Sequence, residues 1–187
     1  MYKQCNSEVT AKRQRHLEQC LLQLMQTTPY PQIAVGDICR LAGVPRGMFY
    51  RYFDSKQDAL CALIDHTLVE GVTKAVLLRR PEEDEFLGLK AVLDYWKTQQ
   101  PLTEALTRNE LEAVLLERSI IWCTQDTHLL APYLARAGHS ATPEAIAFCI
   151  NGVLSVILVW YRSGYAKSSE EMAAILHRLL TGPLVQL

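Results

Sequence analysis

Apolar positions recur at helical spacing along most of the chain, and no useful stretch alternates apolar and polar residues as a strand would. Residues 7–26 predict an amphipathic first helix, started by Asn6 or Ser7, and two prolines end it by residue 31. Further helices are predicted at the ranges 56–78, 86–99, 102–108, 111–137, 145–161 and 169–180. Together with two short helices in residues 33–56, the pattern predicts an all-α protein of about nine helices.

Residues 33–56 carry the most specific pattern in the chain. Apolar residues recur at helical spacing until Gly43 interrupts them, and a second short helix is predicted over about residues 45–52. Two short helices joined by a tight turn that contains glycine are the signature of a helix-turn-helix motif. Gly43 can adopt the positive φ that such a sharp reversal needs.

The second of these short helices has a polar face that a core does not need. Phe49 and Phe53 share one side, so Arg46, Tyr50 and Arg51 project elsewhere. Guanidinium and phenol groups suit phosphate oxygens and base edges. The alternative is that both arginines are simply solvated and the tyrosine is half-buried. Three such groups within one helix-turn-helix frame favour DNA binding.

The sequence DICRLAGVPRGMFYRYFDSKQDAL, residues 37–60, resembles the DNA-binding signature of the TetR-type transcriptional regulators, and the likeness extends over about residues 17–63. The resemblance implies that Arg46, Gly47 and Met48 face the major groove. It also implies phosphate contacts from Tyr50, Tyr52 and Lys56. The full set expected at DNA is Val35, Gly36, Arg46, Gly47, Met48, Tyr50, Arg51, Tyr52 and Lys56.

Two positions depart from the usual pattern of this family. Ala34 stands where a threonine commonly caps the second helix and binds phosphate, and Met48 replaces a common threonine in the recognition helix. Loss of the capping hydroxyl costs about 1 kcal/mol. We therefore expect Gly36 and Asp37 to serve the helix start, and Met48 to alter the base preference.

The charge distribution separates a basic N-terminal part from an acidic remainder. Residues 1–56 hold eight Lys and Arg against four Asp and Glu, a net charge of +4, whereas the remainder carries −5. The total of −1 conceals this division. A basic DNA-binding domain over residues 1–56 is thus predicted, followed by a linking helix over residues 56–78 that Ser55 caps. Residues 79–187 form the predicted regulatory and dimerisation domain.

Residues 145–161 form an almost uninterrupted apolar helix of a length at the lower limit for a membrane span. A helix that is apolar on all faces needs a partner beyond its own core. The TetR resemblance implies a four-helix bundle with a second subunit, so a homodimer is expected and a membrane span is not. The residues expected at this interface or just beneath it are Ile146, Ile150, Leu154, Ile157, Tyr161, Ile175, Leu176 and Leu179.

The resemblance also implies a ligand pocket among the middle helices. Its expected lining is Phe86, Leu89, Leu93, Trp96, Trp122 and Phe148. Such a lining suits a small hydrophobic or aromatic effector, although these side chains are also ordinary core residues. Residues 151–180 additionally resemble the DhaS-like subgroup of dihydroxyacetone-kinase operon activators, which work with a separate ligand-sensing protein. In that case the chain has no effector pocket of its own.

No pattern points to catalysis or to a bound metal. The six cysteines lack metal-ligand spacing, the five histidines are dispersed, and neither GxSxG nor HExxH occurs. A redox sensor at Cys123 or Cys149 is an alternative to inert buried thiols. The first residues contain no apolar leader, which indicates a cytoplasmic protein.

We therefore predict a dimeric repressor without cofactors that binds double-stranded operator DNA and is released by the small effector. A coactivator controlled by a protein partner is a second possibility, and a helical interaction module without DNA binding is a third.

Overall fold

The computed structural model describes residues 2–3, 7–77, 85–125 and 142–181 of the chain. Within these residues every regular element is helical, so the all-α prediction is confirmed. A 3-10 turn, Tyr30–Gln32, follows the first helix. The helices are α1 Glu8–Met25, α2 Val35–Ala42, α3 Arg46–Phe49, α4 Lys56–Leu77, α5 Glu85–Thr98, α6 Gln100–Arg108, α7 Glu112–Gln125, α8 Pro143–Arg162 and α9 Ser169–Thr181.

Two of the helices whose bounds differ from the predicted ones do so for evident local reasons. α3 has only four helical residues, Arg46–Phe49, because the chain passes into turns at residues 50–52. α6 begins at Gln100 rather than Leu102, since Pro101 occupies its first turn, where the missing N–H has no helical acceptor to lose. The predicted continuation of α7 to residue 137, including the kink at Pro132, lies outside the described residues.

Serine side chains start two helices, as predicted. Ser7 Oγ accepts a hydrogen bond from the backbone N–H of Thr10 at 3.3 Å at the start of α1. Ser55 Oγ accepts from the N–H of Asp58 at 3.1 Å at the start of α4. Each bond satisfies one of the backbone donors that a helix leaves without an internal partner, and such caps contribute about 1 kcal/mol.

The chain divides into two compact units. The first contains residues 1–67 and 104–114, and the second contains residues 68–103 and 115–187. The division therefore falls within α4 rather than at its ends. The predicted domains, residues 1–56 and 79–187 with a linking helix, stay a prediction.

The first unit is built around a continuous apolar core. The stripe of α1 that the sequence predicts is buried against α2, and α2 packs on α3. Burying each large apolar side chain contributes about 1.5–3 kcal/mol. The largest fully buried members of this core are Leu17, Leu21, Met25, Ile38, Phe49, Phe53, Leu60 and Ile64.

The second unit packs α9 against α5 and α8. Three polar side chains in its interior, those of Ser119, Asn151 and Trp160, are hydrogen-bonded. Ser119 Oγ, on a fully buried residue, lies 3.0 Å from Asn151 Oδ1, and the Asn151 amide donates to the carbonyl of Ala147 at 2.9 Å. Trp160 Nε1 donates to the carbonyl of Lys167 at 2.9 Å in the turn before α9. These bonds explain how an apolar helix tolerates an asparagine and a terminal tryptophan.

α8 is the one helix among the described residues that is long and apolar enough to cross a membrane by length and composition. Only 28% of its most apolar window is buried within the chain. Phe148 and Val159 lie on the same face of α8 as Gly152 and Ser155, and they are 59% and 64% exposed. Their apolar surface is left uncovered by the residues that the structure describes.

Candidate nucleic-acid interface

Gly43 makes the turn between α2 and α3. Its φ of 65° and ψ of 31° lie in the left-handed region, which favours glycine. The N–H of Val44 donates to the carbonyl of Cys39 at 3.0 Å, and the N–H of Gly43 donates to that of Arg40 at 3.3 Å. These two bonds form a Schellman motif. The helix-turn-helix geometry that the sequence predicts is therefore present, and it aims α3 away from the end of α2.

Asp37 supports the start of α2, where Ala34 provides no side-chain cap. The N–H of Ala34 donates to Asp37 Oδ2 at 2.9 Å, and Arg40 donates to the other carboxylate oxygen at 2.9 Å. The backbone bond from Ala34, followed by the Arg40 guanidinium, lowers the pKa of Asp37. This is one half of a capping box, with an alanine in place of the capping hydroxyl. The expectation that Asp37 serves the helix start is confirmed.

The short α3 separates a buried face from an exposed one. Phe49 is fully buried, and Tyr50 is 49% exposed with its ring edge-on to Phe49 at 5.6 Å between centroids. The exposed side chains of this segment supply two guanidinium groups and one phenol within six residues. Those exposed positions are Arg46, Gly47, Tyr50 and Arg51.

The other residues expected at DNA are less accessible. Val35, Gly36 and Met48 are half-buried. Tyr52 is only 6% exposed and lies among the core aromatics, with its ring 6.4 Å from that of Phe53. A phosphate contact from Tyr52 would have to use that small exposed part. Arg46, Tyr50 and Arg51 are thus exposed, whereas Tyr52 is buried.

Gly36 provides room for the Arg46 guanidinium. A Cβ atom at Gly36 would lie 2.6 Å from Nη2 of Arg46 and 3.3 Å from its Nε. Any other residue at position 36 would place a Cβ atom in the space that the guanidinium occupies. The glycine therefore allows the Arg46 side chain to lie against α2. Gly36 therefore acts on the exposed surface through the position of Arg46.

A Gly36→Ala substitution should move operator affinity and stability in opposite directions. The added methyl group displaces the guanidinium, and we expect DNA binding to weaken about 3-fold through loss of that alignment. Alanine in a helix is favoured over glycine by about 0.5–1 kcal/mol, so the free energy of unfolding should rise or stay unchanged. Fluorescence anisotropy with an operator duplex and urea unfolding measure the two effects. Unchanged affinity would show that the position of the guanidinium is unimportant.

Lys56 differs from its expected surroundings. Its ammonium donates to the carbonyls of Tyr30 at 2.7 Å, Pro31 at 3.1 Å and Ile33 at 2.8 Å, and it lies 4.6 Å from the centroid of the Tyr30 ring. Three hydrogen bonds match the three N–H donors of a lysine. Lys56 thereby ties the start of α4 to the segment between α1 and α2. The expected phosphate contact stays a prediction, and these bonds would compete with it.

The segment between α1 and α2 has a second anchor that sequence reasoning missed. The N–H of Tyr30 donates to Oδ1 of Asn109 at 2.6 Å, and the Tyr30 hydroxyl donates to Gln57 Oε1 at 2.9 Å. Burial raises the pKa of Tyr30 to about 12. Arg108 also donates to the carbonyl of Gln26. No local sequence pattern indicates these contacts, because Asn109 lies 79 residues from Tyr30.

The residues expected to line a ligand pocket differ in exposure, and the pocket itself stays a prediction. Leu93 and Trp96 are buried on α5, Leu89 and Trp122 are half-buried, and Phe148 is 59% exposed. The Phe86 side chain lies outside the described residues. A separate open groove of about 440 Å³ contains none of these side chains. It is lined by Lys74, Leu87, Lys90, Ala91, Asp94, Tyr95 and Thr98.

Half of the eight residues expected at the dimer interface are covered within one chain. Ile150, Tyr161 and Ile175 are half-buried, and Leu179 is 46% exposed. The fully covered members lie just beneath the surface and are Ile146, Leu154, Ile157 and Leu176. The exposed stripe of α8, which we call the α8 face, consists instead of Phe148, Gly152, Ser155 and Val159.

Three of the described cysteines are buried or half-buried thiols that are poorly suited to redox chemistry. Burial raises the pKa of Cys20, Cys39 and Cys149, which leaves less thiolate at neutral pH. The Cys123 side chain lies outside the described residues. Among the residues that the structure describes, no group of three or more His, Cys, Asp or Glu side chains could hold a metal ion.

These observations define the class of protein. An exposed, cationic short helix, held by a Schellman turn on a buried helical core, is a helix-turn-helix DNA-binding domain. Residues 21–63 match the family described as bacterial regulatory proteins of the tetR family, so this part of the chain is a TetR-type DNA-binding domain.

Solved structures show the same fold along nearly the whole chain. A putative TetR-family regulator from Syntrophomonas wolfei has 18% identity and a TM-score of 0.68, covering 95% of this chain and 98% of its own. LfrR from Mycobacterium smegmatis in complex with proflavine has 18% identity and a TM-score of 0.54, covering 94% and 99%. The dihydroxyacetone kinase operon activator DhaS has 17% identity and a TM-score of 0.57, covering 90% and 93%. No curated protein matches the chain.

Proposed function

We propose that this regulator binds a pseudo-palindromic operator as a homodimer in the cytoplasm and acts as a repressor. The exposed group of Arg46, Tyr50 and Arg51 carries the proposal. Arginine can donate two hydrogen bonds to the O6 and N7 atoms of guanine, and Tyr50 can donate to phosphate. The net charge of +4 over residues 1–56 favours the approach of this surface to DNA.

The homodimer follows from the needs of both DNA binding and α8. Two recognition helices related by a two-fold axis read half-sites about one helical turn, 34–36 Å, apart or at multiples of that distance. A second copy of the α8 face would cover Phe148 and Val159, whereas a single chain leaves them exposed. Isologous contact of this kind is the commonest route to soluble homodimers. The same covering makes a membrane partner unnecessary.

A small hydrophobic or aromatic effector is the proposed signal. LfrR, which shares the fold, binds the aromatic molecule proflavine. In this chain, Leu93 and Trp96 of α5 and Trp122 of α7 supply apolar and aromatic surface within the second unit. Binding there would favour one of two arrangements of the subunits, and release from DNA would follow from that preference.

A coactivator controlled by a protein partner is the second candidate. Likeness to the DhaS structure favours it, although at 17% identity that likeness concerns the fold. Two additions distinguish a repressor from a coactivator. A purified aromatic effector should change the DNA binding of a repressor only, and a partner protein should change the DNA binding of a coactivator only. A module that binds no DNA is the third candidate.

Gel retardation of a duplex selected from a random library tests DNA binding, and Arg46→Ala sharpens the test. We expect this variant to lose about 10-fold of its preference for the selected duplex over a scrambled one, because a base contact specifies sequence. Arg51→Ala removes the same charge and should weaken binding to both duplexes alike. Retention of the full preference by Arg46→Ala would refute the groove assignment. No salt-sensitive retardation by the wild type would favour the module.

A further inference from the structure

The residues that precede α1 lie against the helix-turn-helix. Tyr2 and Lys3, which we call the N-terminal latch, contact three helical elements of the first unit. The carbonyl of Lys3 accepts a hydrogen bond from the amide of Gln14, a side chain of α1 that is itself 2% exposed. The latch is therefore held on the surface by a buried partner.

Lys3 closes the C-terminal end of α3. Its backbone N–H donates to the carbonyl of Tyr52 at 3.0 Å, and its ammonium donates to the carbonyl of Tyr50 at 3.2 Å. α3 ends at Phe49, so these two carbonyls belong to the turn residues that follow it, and the four-residue α3 has few bonds of its own that resist fraying. The two carbonyls flank Arg51. Lys3 thus holds the backbone that carries two exposed side chains of the proposed DNA surface.

Tyr2 fastens the other end of the latch to α4. Its hydroxyl donates to Oδ2 of Asp65 at 2.8 Å, and Asp65 is 7% exposed. The Tyr2 ring also packs edge-on against His66, with 5.8 Å between ring centroids. A buried acceptor and an aromatic contact fix the position of the residue before Lys3.

We propose that the N-terminal latch is a positioning element for DNA recognition, which holds the end of α3 in the conformation that binds DNA. The inference rests on the proposed function, because the expected effect of the latch is a change in the affinity for DNA. Without the latch, the backbone at residues 50–52 samples more conformations, and ordering it on the operator reduces the affinity. Lys3 acts through the backbone of α3 and needs no contact with phosphate.

The test uses the full chain with a native N-terminus and a C-terminal tag. Binding to the selected duplex is measured by fluorescence anisotropy at several salt concentrations, well below the melting temperature of each variant. Lys3→Met should weaken binding about 5-fold and Tyr2→Phe about 3-fold, each with an unchanged slope of log Kd against log salt. Lys3→Arg, which keeps a donor, should bind within about 2-fold of the wild type. Lys90→Met removes one charge from α5 and should change nothing.

The double substitution shows whether Tyr2 and Lys3 act together as one unit or make two independent contacts. Because both residues hold one segment, Tyr2→Phe with Lys3→Met should weaken binding by less than the product of the two separate effects. Amide hydrogen exchange at residues 51–53 of the free protein should be about 10-fold faster in Lys3→Met. That measurement needs no DNA, so it tests the latch even if the wild type binds no duplex and the proposed function fails.

Three results would overturn the inference. A salt slope that falls by about 1 in Lys3→Met would make Lys3 a phosphate ligand instead. A lower melting temperature with affinity and exchange unchanged in both variants would make the latch a purely structural contact. Unchanged exchange at residues 51–53 in Lys3→Met would show that the latch does not hold α3.

Discussion

Phe148→Asp is expected to convert the proposed dimer into a monomer and to weaken operator binding about 100-fold or more. Phe148 is 59% exposed on the α8 face, and Val159 on the same face is 64% exposed. A two-fold axis through this face would place two aspartates in an apolar contact, where burying an unpaired carboxylate costs several kcal/mol. A monomer also loses the gain of about 10²–10⁴ that comes from binding two half-sites at once.

Sedimentation velocity gives the mass of Phe148→Asp, and anisotropy on whole and half operators gives its affinity. The half-operator affinity should stay near that of the wild type, since α3 is untouched. Ile120→Asp is the matched control, because Ile120 is an exposed apolar residue on α7 outside the α8 face, 47% exposed. A dimeric Phe148→Asp would place the subunit contact elsewhere. Detergent-dependent solubility of the wild type would instead favour a membrane partner for α8.

Lys56→Met is expected to lower the free energy of unfolding by about 3 kcal/mol. The methionine keeps the apolar stem but removes an ammonium that donates to the carbonyls of Tyr30, Pro31 and Ile33. A hydrogen bond from a charged group contributes about 1.5–3 kcal/mol, and partial exposure together with replacement water reduces the total for three. Loss of these bonds also frees the start of α2, so operator affinity should fall as well.

Urea unfolding and the salt dependence of DNA binding separate the two roles of Lys56. A structural tie predicts a large loss of stability with an unchanged salt slope, whereas a phosphate contact predicts a slope shallower by about 1 and little loss of stability. Gln57→Met, at the next and exposed position, removes the single bond to the Tyr30 hydroxyl and should cost only about 1 kcal/mol. Equal stability of Lys56→Met and wild type would refute the structural role.

The sequence was most informative where structure depends on near neighbours. Gly43 predicts the left-handed turn because the residue type itself sets the permitted φ. Ser7 and Ser55 predict helix starts because each hydroxyl bonds to an N–H three residues away. The apolar stripe of α1 predicts its buried face for the same reason of local periodicity.

Site residues were predictable only in part. Arg46, Tyr50 and Arg51 are exposed, as helical periodicity indicates, but Tyr52 is 6% exposed despite its place in the same motif. The resemblance selected positions on α3 and α4, and it gave no sign that the Lys56 ammonium bonds to three backbone carbonyls. Those carbonyls belong to a turn 23 to 26 residues away, and a position in a motif does not record such partners.

By itself, the sequence determined the helical class, the helix-turn-helix turn and the separation of positive charge into residues 1–56. Each follows from residue type and spacing along the chain, so no folded structure was needed. Only the tertiary structure decided which apolar side chains of α8 are covered, where Lys56 donates, and that Tyr2 and Lys3 hold the end of α3. Burial and hydrogen bonding between residues far apart in sequence depend on which surfaces meet in space, and composition and periodicity do not encode that.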